Sequence, residues 1–430
     1  MKRTDILIIG GGLAGYTAAM AARSYFPFRK VTLVRKERTP LSPWGLAYAC
    51  GSGELMKNLM HDFSLLDNGI EILIEEIKEI EPQAKWVSFV DTTRLYYDKL
   101  ILATGSYPTP WPVKGHHLRG IYTLKKHLAY LRELINALDQ AQDIVILGGG
   151  ISGLQLAEAC SLRGLRVTVV EREPHCLSSM FDEDFCSLIE ERLMSQRIKV
   201  ITCATIEEFR GEERVRSVRL STGELLKAEV VVLAIGLVPN VHLAFQAGIQ
   251  IEEGAIKVDE YLRTNKDDIF AVGDCASKPS SFGTNNLCIR RASMAGHEAR
   301  VAAANLYGPK KTRKIRIDKL LLAIGGLALG SAGLTWLKAA SLGIEAGRVD
   351  IKLDAYIGSP VARIIYARDT GVILGVQIRG SNIISVREVM NSLTTLMEEG
   401  KAVLNLPQVE GALVGSSSRP LHGPGCLLPN

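Results

Sequence analysis

A bias of charge is missing from this chain, and so is any cysteine pair at metal-binding or redox spacing. Its 430 residues carry 51 Lys and Arg against 46 Asp and Glu, a net charge of only +5. The basic residues are interspersed with acids, which leaves no electrostatic footprint for nucleic acid. The eight cysteines, at 50, 160, 176, 186, 203, 275, 288 and 426, include no C-x-x-C pair and no zinc-like spacing. Scattered thiols in a long chain read as free and reduced, which places the protein in the cytoplasm. No signal peptide is expected ahead of the first strand, which begins almost at residue 1. His116, His117 and His127 lack a suitably spaced third ligand, so no metal is expected. One uncharged stretch, residues 320–337, is long enough to raise a membrane question. It is broken by Gly325, Gly326, Gly330 and Gly333 and carries Ser331 and Thr335. The expectation is a buried strand, a Gly-rich turn and a helix start, without membrane insertion.

What is present is a soluble α/β composition, with 47% hydrophobic residues, 23% charged residues and 40 glycines. The length suggests two or three domains. Two glycine fingerprints stand out. Asp5-Ile6-Leu7-Ile8-Ile9 runs into Gly10-Gly11-Gly12-Leu13-Ala14-Gly15, and Asp143-Ile144-Val145-Ile146-Leu147 runs into Gly148-Gly149-Gly150-Ile151-Ser152-Gly153. Each reads G-x-G-x-x-G between an apolar strand and an Ala-rich helix. One glycine makes the turn, one admits a pyrophosphate, and one lets helix and strand pack closely. The helix behind each turn offers unpaired N–H groups to phosphate. Two such motifs imply two dinucleotides and, with them, electron transfer between the two.

Strand–helix alternation opens the chain, with strands at 6–9 and 31–34 around a helix at 14–25. A β-rich patch follows at 70–74, 85–89 and 99–103, then a crossover marked by Pro108, Pro110 and Pro112. A second βαβ unit over about 115–238 closes on a continuous apolar strand at 229–235. The chain returns with 269–272 and a helix near 291–305. A basic stretch, residues 310–314, marks a boundary. Beyond it the expectation is α+β, with strands near 349–353, 361–366 and 372–378 and a helix at 385–399. A helix with a core-facing Leu/Ala stripe is expected over 128–138. The tail, 415–430, is Gly/Ser/Pro-rich and reads as loose.

In the second fold, 167–170 leads to Glu171, near the spacing at which a carboxylate grips a ribose 2′-hydroxyl and repels a 2′-phosphate. That favours NADH; Arg172 beside it leaves NADPH possible. With Leu102-Ala103-Thr104-Gly105-Ser106 and Thr264 through Ile269-Phe270-Ala271-Val272-Gly273-Asp274, the first fingerprint completes three signatures. Together they resemble those of the FAD-dependent pyridine nucleotide-disulfide oxidoreductase superfamily over residues 1 to about 310. The resemblance implies an α/β fold of two Rossmann-like, three-layer ββα nucleotide-binding domains and an α+β C-terminal dimerisation domain. The implied division is 1–112 with 239–310 for FAD, 113–238 for NAD(P)H, 311–414 for a homodimer interface, and 415–430 as tail. It implies FAD contacts at Gly10, Gly12, Leu13, Ala14, Gly15, Arg35, Lys36, Ser42, Ile77, Ala103, Thr104, Gly105, Gly273, Asp274 and Ile289. For the pyridine nucleotide it implies Gly148, Gly150, Ile151, Ser152, Gly153, Glu171, Arg172, Ile235 and Gly236. In that family the aspartate matching Asp274 bonds the ribityl chain, and the helix after it points at the flavin. Gly333-Leu334-Thr335 and Asp369-Thr370-Gly371 resemble the branch containing CoA-disulfide reductase, NADH oxidase and persulfide reductase.

The chain also departs from that branch. Trp44 stands where its reductases carry a redox cysteine, and an indole forms neither mixed disulfide nor sulfenic acid. Cys50, six residues on, is a candidate displaced thiol or a small buried hydrophobe. Cys288 has the same standing. Arg35 occupies the position of the acid that should hold the adenosine ribose; Glu37 could replace that acid, or Arg35 could stack on adenine. Ile151 replaces a tyrosine that lids the flavin, and residues 410–414 replace a tyrosine-bearing segment. The expected function is therefore an FAD-dependent NAD(P)H oxidoreductase, passing hydride from NADH to FAD N5 without a dithiol relay. Trp44 would line the acceptor face, and electrons would go to an iron-sulfur or rubredoxin-type protein, a quinone or O2. The alternatives are a disulfide, persulfide or polysulfide reductase using Cys50 or no enzyme thiol, and a flavoprotein subunit or redox sensor.

Overall fold

The computed structural model describes residues 2–278, 292–313, 317 and 319–402. Cys288, Ile289, the start of the expected flavin-facing helix at 289–291, residues 410–414 and the tail lie outside the described residues. The chain forms two compact units, one from Met1–Arg172 with Arg197–Ile315 and the other from Glu173–Gln196 with Arg316–Asn430.

The first unit holds both nucleotide folds. In the first fold, strands Glu71–Ile74, Val31–Arg35, Lys2–Ile9 and Arg94–Leu102 are parallel neighbours in that order. Ile269–Ala271 adds in parallel to the end of Arg94–Leu102. The antiparallel ribbon Ile77–Glu81 and Trp86–Phe89 extends the sheet on the same side. Strands buried on both faces must be apolar throughout, and their residues sort by a period of two. Ile6 and Ile8 pack on the Ala18–Ala19–Ala22 face of helix Leu13–Tyr25, while Leu7 and Ile9 enter the opposite core with Val87 and Phe89. Small residues let that helix lie against helix Ala292–Asn305, where Ala299, Ala302 and Ala303 join the same cluster.

The second fold repeats this plan. Strands Lys199–Ile201, Arg166–Val170, Asp143–Leu147, Val230–Leu233 and Ile121–Thr123 form an all-parallel sheet. A three-stranded antiparallel sheet, Ile206–Gly211, Val215–Leu220 and Leu225–Lys227, supplies a second layer. Val145, Leu147, Val231 and Leu233 pack against Ile206, Phe209, Val218 and Leu220 from that layer. Helix Leu128–Gln140 forms as expected, and His127 opens it: its Nδ1 accepts from Tyr130 N–H at 3.3 Å. The chain passes between the folds twice, and the two crossing strands, Ser106–Pro108 and Leu237–Pro239, pair antiparallel.

The second unit is an antiparallel sheet in the order Lys319–Ile324, Leu327–Gly333, Ile373–Gly380, Val361–Ala367, Ala346–Lys352. Helix Ile383–Glu398 covers one face through Val386, Val389, Met390 and Leu393. The uncharged stretch 320–337 is a hairpin turning at Gly325 and Gly326, with φ +59° and +73°, followed by helix Trp336–Ser341. Sequence reasoning anticipated the first strand, the turn and the helix start but not the second strand between them, since an apolar run alone does not separate strand from helix. Among the described residues no helix is long and apolar enough to cross a membrane.

Residues 173–196 depart from the expected domain division, because they pack in the second unit. The cause is a buried cation. Arg363 forms ion pairs with Asp184 at 2.5 Å, Asp350 at 2.8 Å and Asp182 at 3.5 Å. Gln377 Oε1 accepts from Asp182 N–H at 2.9 Å, and Ser331 donates to the Met180 carbonyl at 2.6 Å. The basic stretch at 310–314 lies just ahead of the division between the units at 315/316, and over its described part it is tied down. Asn305 clamps the Lys310 and Lys311 backbone, and Arg313 is buried beside Glu298.

Candidate functional site

Each fingerprint folds into a turn whose glycines are demanded one by one. Gly10 has φ +115° and Gly148 has φ +114°, conformations that L side chains rarely adopt. A Cβ on Gly10 would overlap the Ala103 carbonyl, and a Cβ on Gly148 would lie 2.6 Å from the Ala234 carbonyl oxygen. Gly15 and Gly153 abut the carbonyls of Gly10 and Gly148, leaving no space for a methyl group. Gly12 and Gly150 instead face open space, with nothing within 4 Å of a notional Cβ. Both are extended N-caps, at φ −73°, ψ −175° and φ −79°, ψ 179°, without a side-chain cap. The helix starts, Leu13-Ala14 and Ile151-Ser152, thus present backbone N–H groups to an open concavity. Steric need explains the tight glycines, whereas the open ones are explained by an incoming pyrophosphate. The residues fit two dinucleotides.

Around the first cradle, Ala103, Thr104 and Gly105 continue strand Arg94–Leu102. Gly105 takes φ +70°, Thr104 donates to the Asn240 carbonyl at 2.6 Å, and Asn240 N–H returns to Gly105 at 2.9 Å. Gly273, at φ +76°, touches the helix start, for a Cβ there would lie 2.8 Å from Ala14 Cβ. Asp274 follows; it accepts from Ser106 Oγ at 2.7 Å and sits 3.8 Å from Lys126 Nζ. The turn is held from behind by the buried Glu298 carboxylate, which accepts from Gly273 N–H at 2.9 Å and from Lys278 at 2.5 Å. Sequence reading missed Asn240, Lys126 and Glu298, because no local spacing links them to the cradle.

In the second cradle Glu171 lies where its spacing placed it. Its Oε2 accepts from Gly149 N–H at 2.5 Å, inside the fingerprint turn. Arg172 follows it, largely exposed, and Ile235 with Gly236 (φ +103°) leads into the crossing strand Leu237–Pro239.

Arg35 is not stacked over an open adenine site. It is 3% exposed and forms a two-pronged ion pair with Asp62 at 2.5 and 2.7 Å. Lys36 pairs with Glu76, and Ser42 N–H donates to the Asn58 carbonyl at 2.7 Å. Ile77 is a buried ribbon residue opposite Phe89. Trp44 is 62% exposed, in a loop fixed by Asn58, whose Nδ2 donates to the Trp44 carbonyl at 2.6 Å. Left-handed Gly45 then starts helix Leu46–Ser52.

Cys50 is no displaced thiol. It is 0% exposed, in helix Leu46–Ser52 where it packs on helix Ile151–Leu162, and burial pushes its pKa up to about 12. Cys160 on that facing helix is pushed to about 12 for the same reason. Cys275, beside Asp274, is buried and raised as well. All three are packed into the interior, where a thiol behaves as a small hydrophobe.

Known proteins bear on this site. A family model described as pyridine nucleotide-disulphide oxidoreductase matches residues 4–299. The chain is similar to a rhodocoxin reductase of Rhodococcus erythropolis, 32% identical over 71% of this chain and 72% of the relative. It is also similar to an NADH oxidase of Methanocaldococcus jannaschii, 27% identical over 89% and 88%. Among solved structures, an NAD-dependent persulfide reductase from A. fulgidus superposes with a TM-score of 0.87 at 26% identity, covering 94% of this chain and 78% of that one. With two nucleotide cradles in one unit and a match over more than half its length, this chain belongs to the pyridine nucleotide-disulphide oxidoreductase family, as an enzyme using FAD and NAD(P)H.

Proposed function

We propose that this protein oxidises NADH on FAD and passes the electrons to an external acceptor with no thiol of its own in the path. The carrying observation is the pairing of two matched cradles with a buried, high-pKa Cys50 and with Trp44 in the cysteine's position. FAD supplies acceptance of a hydride from the nicotinamide. The chain's own residues do the rest by position. Gly12 and Gly150 leave room for the pyrophosphates, and Glu171 favours a ribose bearing a free 2′-hydroxyl. The paired crossing strands keep one fold in register with the other, and exposed Trp44 offers an aromatic face to the acceptor.

The acceptor class this favours is a small iron-sulfur or rubredoxin-type protein, a quinone or O2, in keeping with the names of the rhodocoxin reductase and NADH oxidase relatives. A second reading, reduction of a persulfide or polysulfide without an enzyme thiol, is supported by the likeness to the persulfide reductase over 94% of this chain. We further infer a homodimer through residues 311–414, an FAD domain of 1–112 with 239–310, an NAD(P)H domain of 113–238 less residues 173–196, which pack in the second unit, and a cytoplasmic setting. That no disulfide joins the described cysteines supports the last point. The deciding experiment is anaerobic mixing with NADH, then exposure to O2, quinone, rubredoxin, polysulfide and CoA-disulfide in turn. Bleaching of the flavin band within seconds, with reoxidation by rubredoxin, quinone or O2, is the expected result. Reoxidation by polysulfide alone selects the second reading, and failure to bleach selects a sensor or docking subunit.

A further inference from the structure

The two folds can be compared position by position, and they differ at one place that matters for binding. Gly10 N–H donates to the Val34 carbonyl, and Gly148 N–H donates to that of Val170, each at 2.8 Å. Arg35 is therefore the counterpart of Glu171, and Gly11 the counterpart of Gly149. In the second fold the Glu171 carboxylate reaches the glycine turn directly. In the first, the stem of Arg35 lies on that turn, with its Cβ 2.9 Å from where a Cβ of Gly11 would be. The guanidinium carries a carboxylate in its fork. Nη1 donates to Asp62 Oδ1 at 2.7 Å, Nη2 to Oδ2 at 2.5 Å, and Nη2 also to the Arg38 carbonyl at 3.0 Å.

Asp62 is brought there by chain geometry. Residues 40–42 run antiparallel to 58–60, with Ser42 N–H on the Asn58 carbonyl at 2.7 Å and Met60 N–H on the Pro40 carbonyl at 3.0 Å. Two residues later the chain reaches Arg35. The Arg35 side chain is 1% exposed but that of Asp62 is 27% exposed, so the carboxylate still faces outward. Each of its oxygens keeps a lone pair beyond the one taken by the fork. Arg35 Nε, bonded to the Cδ that would lie nearest a Cβ on Gly11, is buried with no acceptor among the described residues.

We propose that Asp62, gripped by Arg35, is the carboxylate that receives the adenosine ribose hydroxyls of FAD in the first cradle. The inference rests on the reading that this cradle holds FAD. An acid at the end of the second strand normally does this directly. Here the acid is supplied from a distant loop, and the arginine at the usual position serves as its holder. With its charge met by Asp62, Arg35 exerts little pull on a 2′-phosphate.

The test is titration of the flavin-stripped full chain with FAD, with ADP, which carries the same ribose, and with FMN, which lacks it. Asp62→Asn should weaken FAD and ADP about ten-fold, the worth of one charged hydrogen bond, and leave FMN unchanged. Glu37→Gln should alter none of the three. Moving the acid back, with Arg35→Glu and Asp62→Ala in one chain, should restore FAD binding to near the wild-type level. Equal weakening of FMN and FAD would show a merely structural role and overturn the proposal, as would unchanged FAD and ADP binding. Should Asp62→Asn fail to fold, the exchanged pair carries the test alone, and loss of its FAD binding overturns the idea. A wild-type chain that takes up no FAD removes the underlying reading and is recognised before any variant is made.

Discussion

The Lys126 ammonium, ahead of the first long helix of the second fold, lies 3.8 Å from the Asp274 carboxylate of the first fold. Ser106, on one of the crossing strands, donates to the same carboxylate at 2.7 Å. A carboxylate beside the first cradle is thus tied to the second fold. Lys126→Gln should raise the KM for NADH a few-fold and lower thermal stability only slightly. A partly exposed pair is worth no more than about 1 kcal/mol. Lys125→Gln is the control, since Lys125 Nζ lies instead over the Tyr130 ring at 6.0 Å. Steady-state NADH titrations with identical KM values for the two variants would deny the link any part in nucleotide binding.

Cys50 should be silent. Burial pushes its pKa up to about 12, so the reactive thiolate is essentially absent at pH 7. Iodoacetamide should leave it unmodified in the native protein, and Cys50→Ala should keep full NADH-dependent turnover. The substitution removes a buried sulfur and should lower unfolding free energy by about 1–2 kcal/mol. Peptide mass mapping after alkylation, together with turnover on polysulfide, checks both points. Loss of turnover in a folded variant would return the thiol to the mechanism.

The glycines of each cradle should separate folding from binding. Gly15→Ala forces a methyl group onto the Gly10 carbonyl and should cost about 3 kcal/mol or more, visible as a lowered melting temperature. Gly12→Ala meets nothing within 4 Å and should melt like the parent while losing FAD. Gly150→Ala should retain FAD yet resist reduction by NADH. The ratio of flavin to protein, a thermal melt and bleaching of the flavin by NADH together distinguish all three outcomes.

Acid should expose one electrostatic tether of the second fold. Side-chain hydrogen bonds from Arg166, at 2.7 Å, and then Lys227 hold the Asp143 carboxyl at about 2, below its ordinary 3.8. A carboxyl depressed in the folded state adds stability that is complete above its unfolded pKa. That stability is lost as pH falls from about 4 through about 2. Denaturant midpoints measured at pH 6 and pH 2.5 should therefore differ less in Asp143→Asn than in the parent.

Much of this architecture was legible in the sequence, and for local reasons. The last glycine of each G-x-G-x-x-G motif is decided within six residues, because a Cβ there collides with the carbonyl of the first, whereas the first glycine is pressed by a distant strand end at Ala103 or Ala234. The continuous apolar runs in 5–9 and 143–147 announced strands, and their lack of alternation fits burial on both faces. Glu171 was found by counting along a regular strand. The hairpin in 320–337 was only half legible, since glycine marks a turn but leaves open whether a strand or a helix comes next. The anomaly of Arg35 was visible as well, but its resolution through Asp62 was not, for the two meet only after a loop folds back on itself.

The chain by itself determined two dinucleotide cradles, each a glycine turn between an apolar strand and a helix, and an indole at position 44. Those properties are read from short runs of neighbouring residues. Tertiary structure alone decided that Cys50 is sealed between two helices and that Arg313 is buried beside Glu298. It alone decided that residues 173–196 belong with the C-terminal sheet, and that Asp62 stands beside Arg35. Each of these depends on burial and on charge pairs between residues far apart in sequence, which no spacing along the chain encodes.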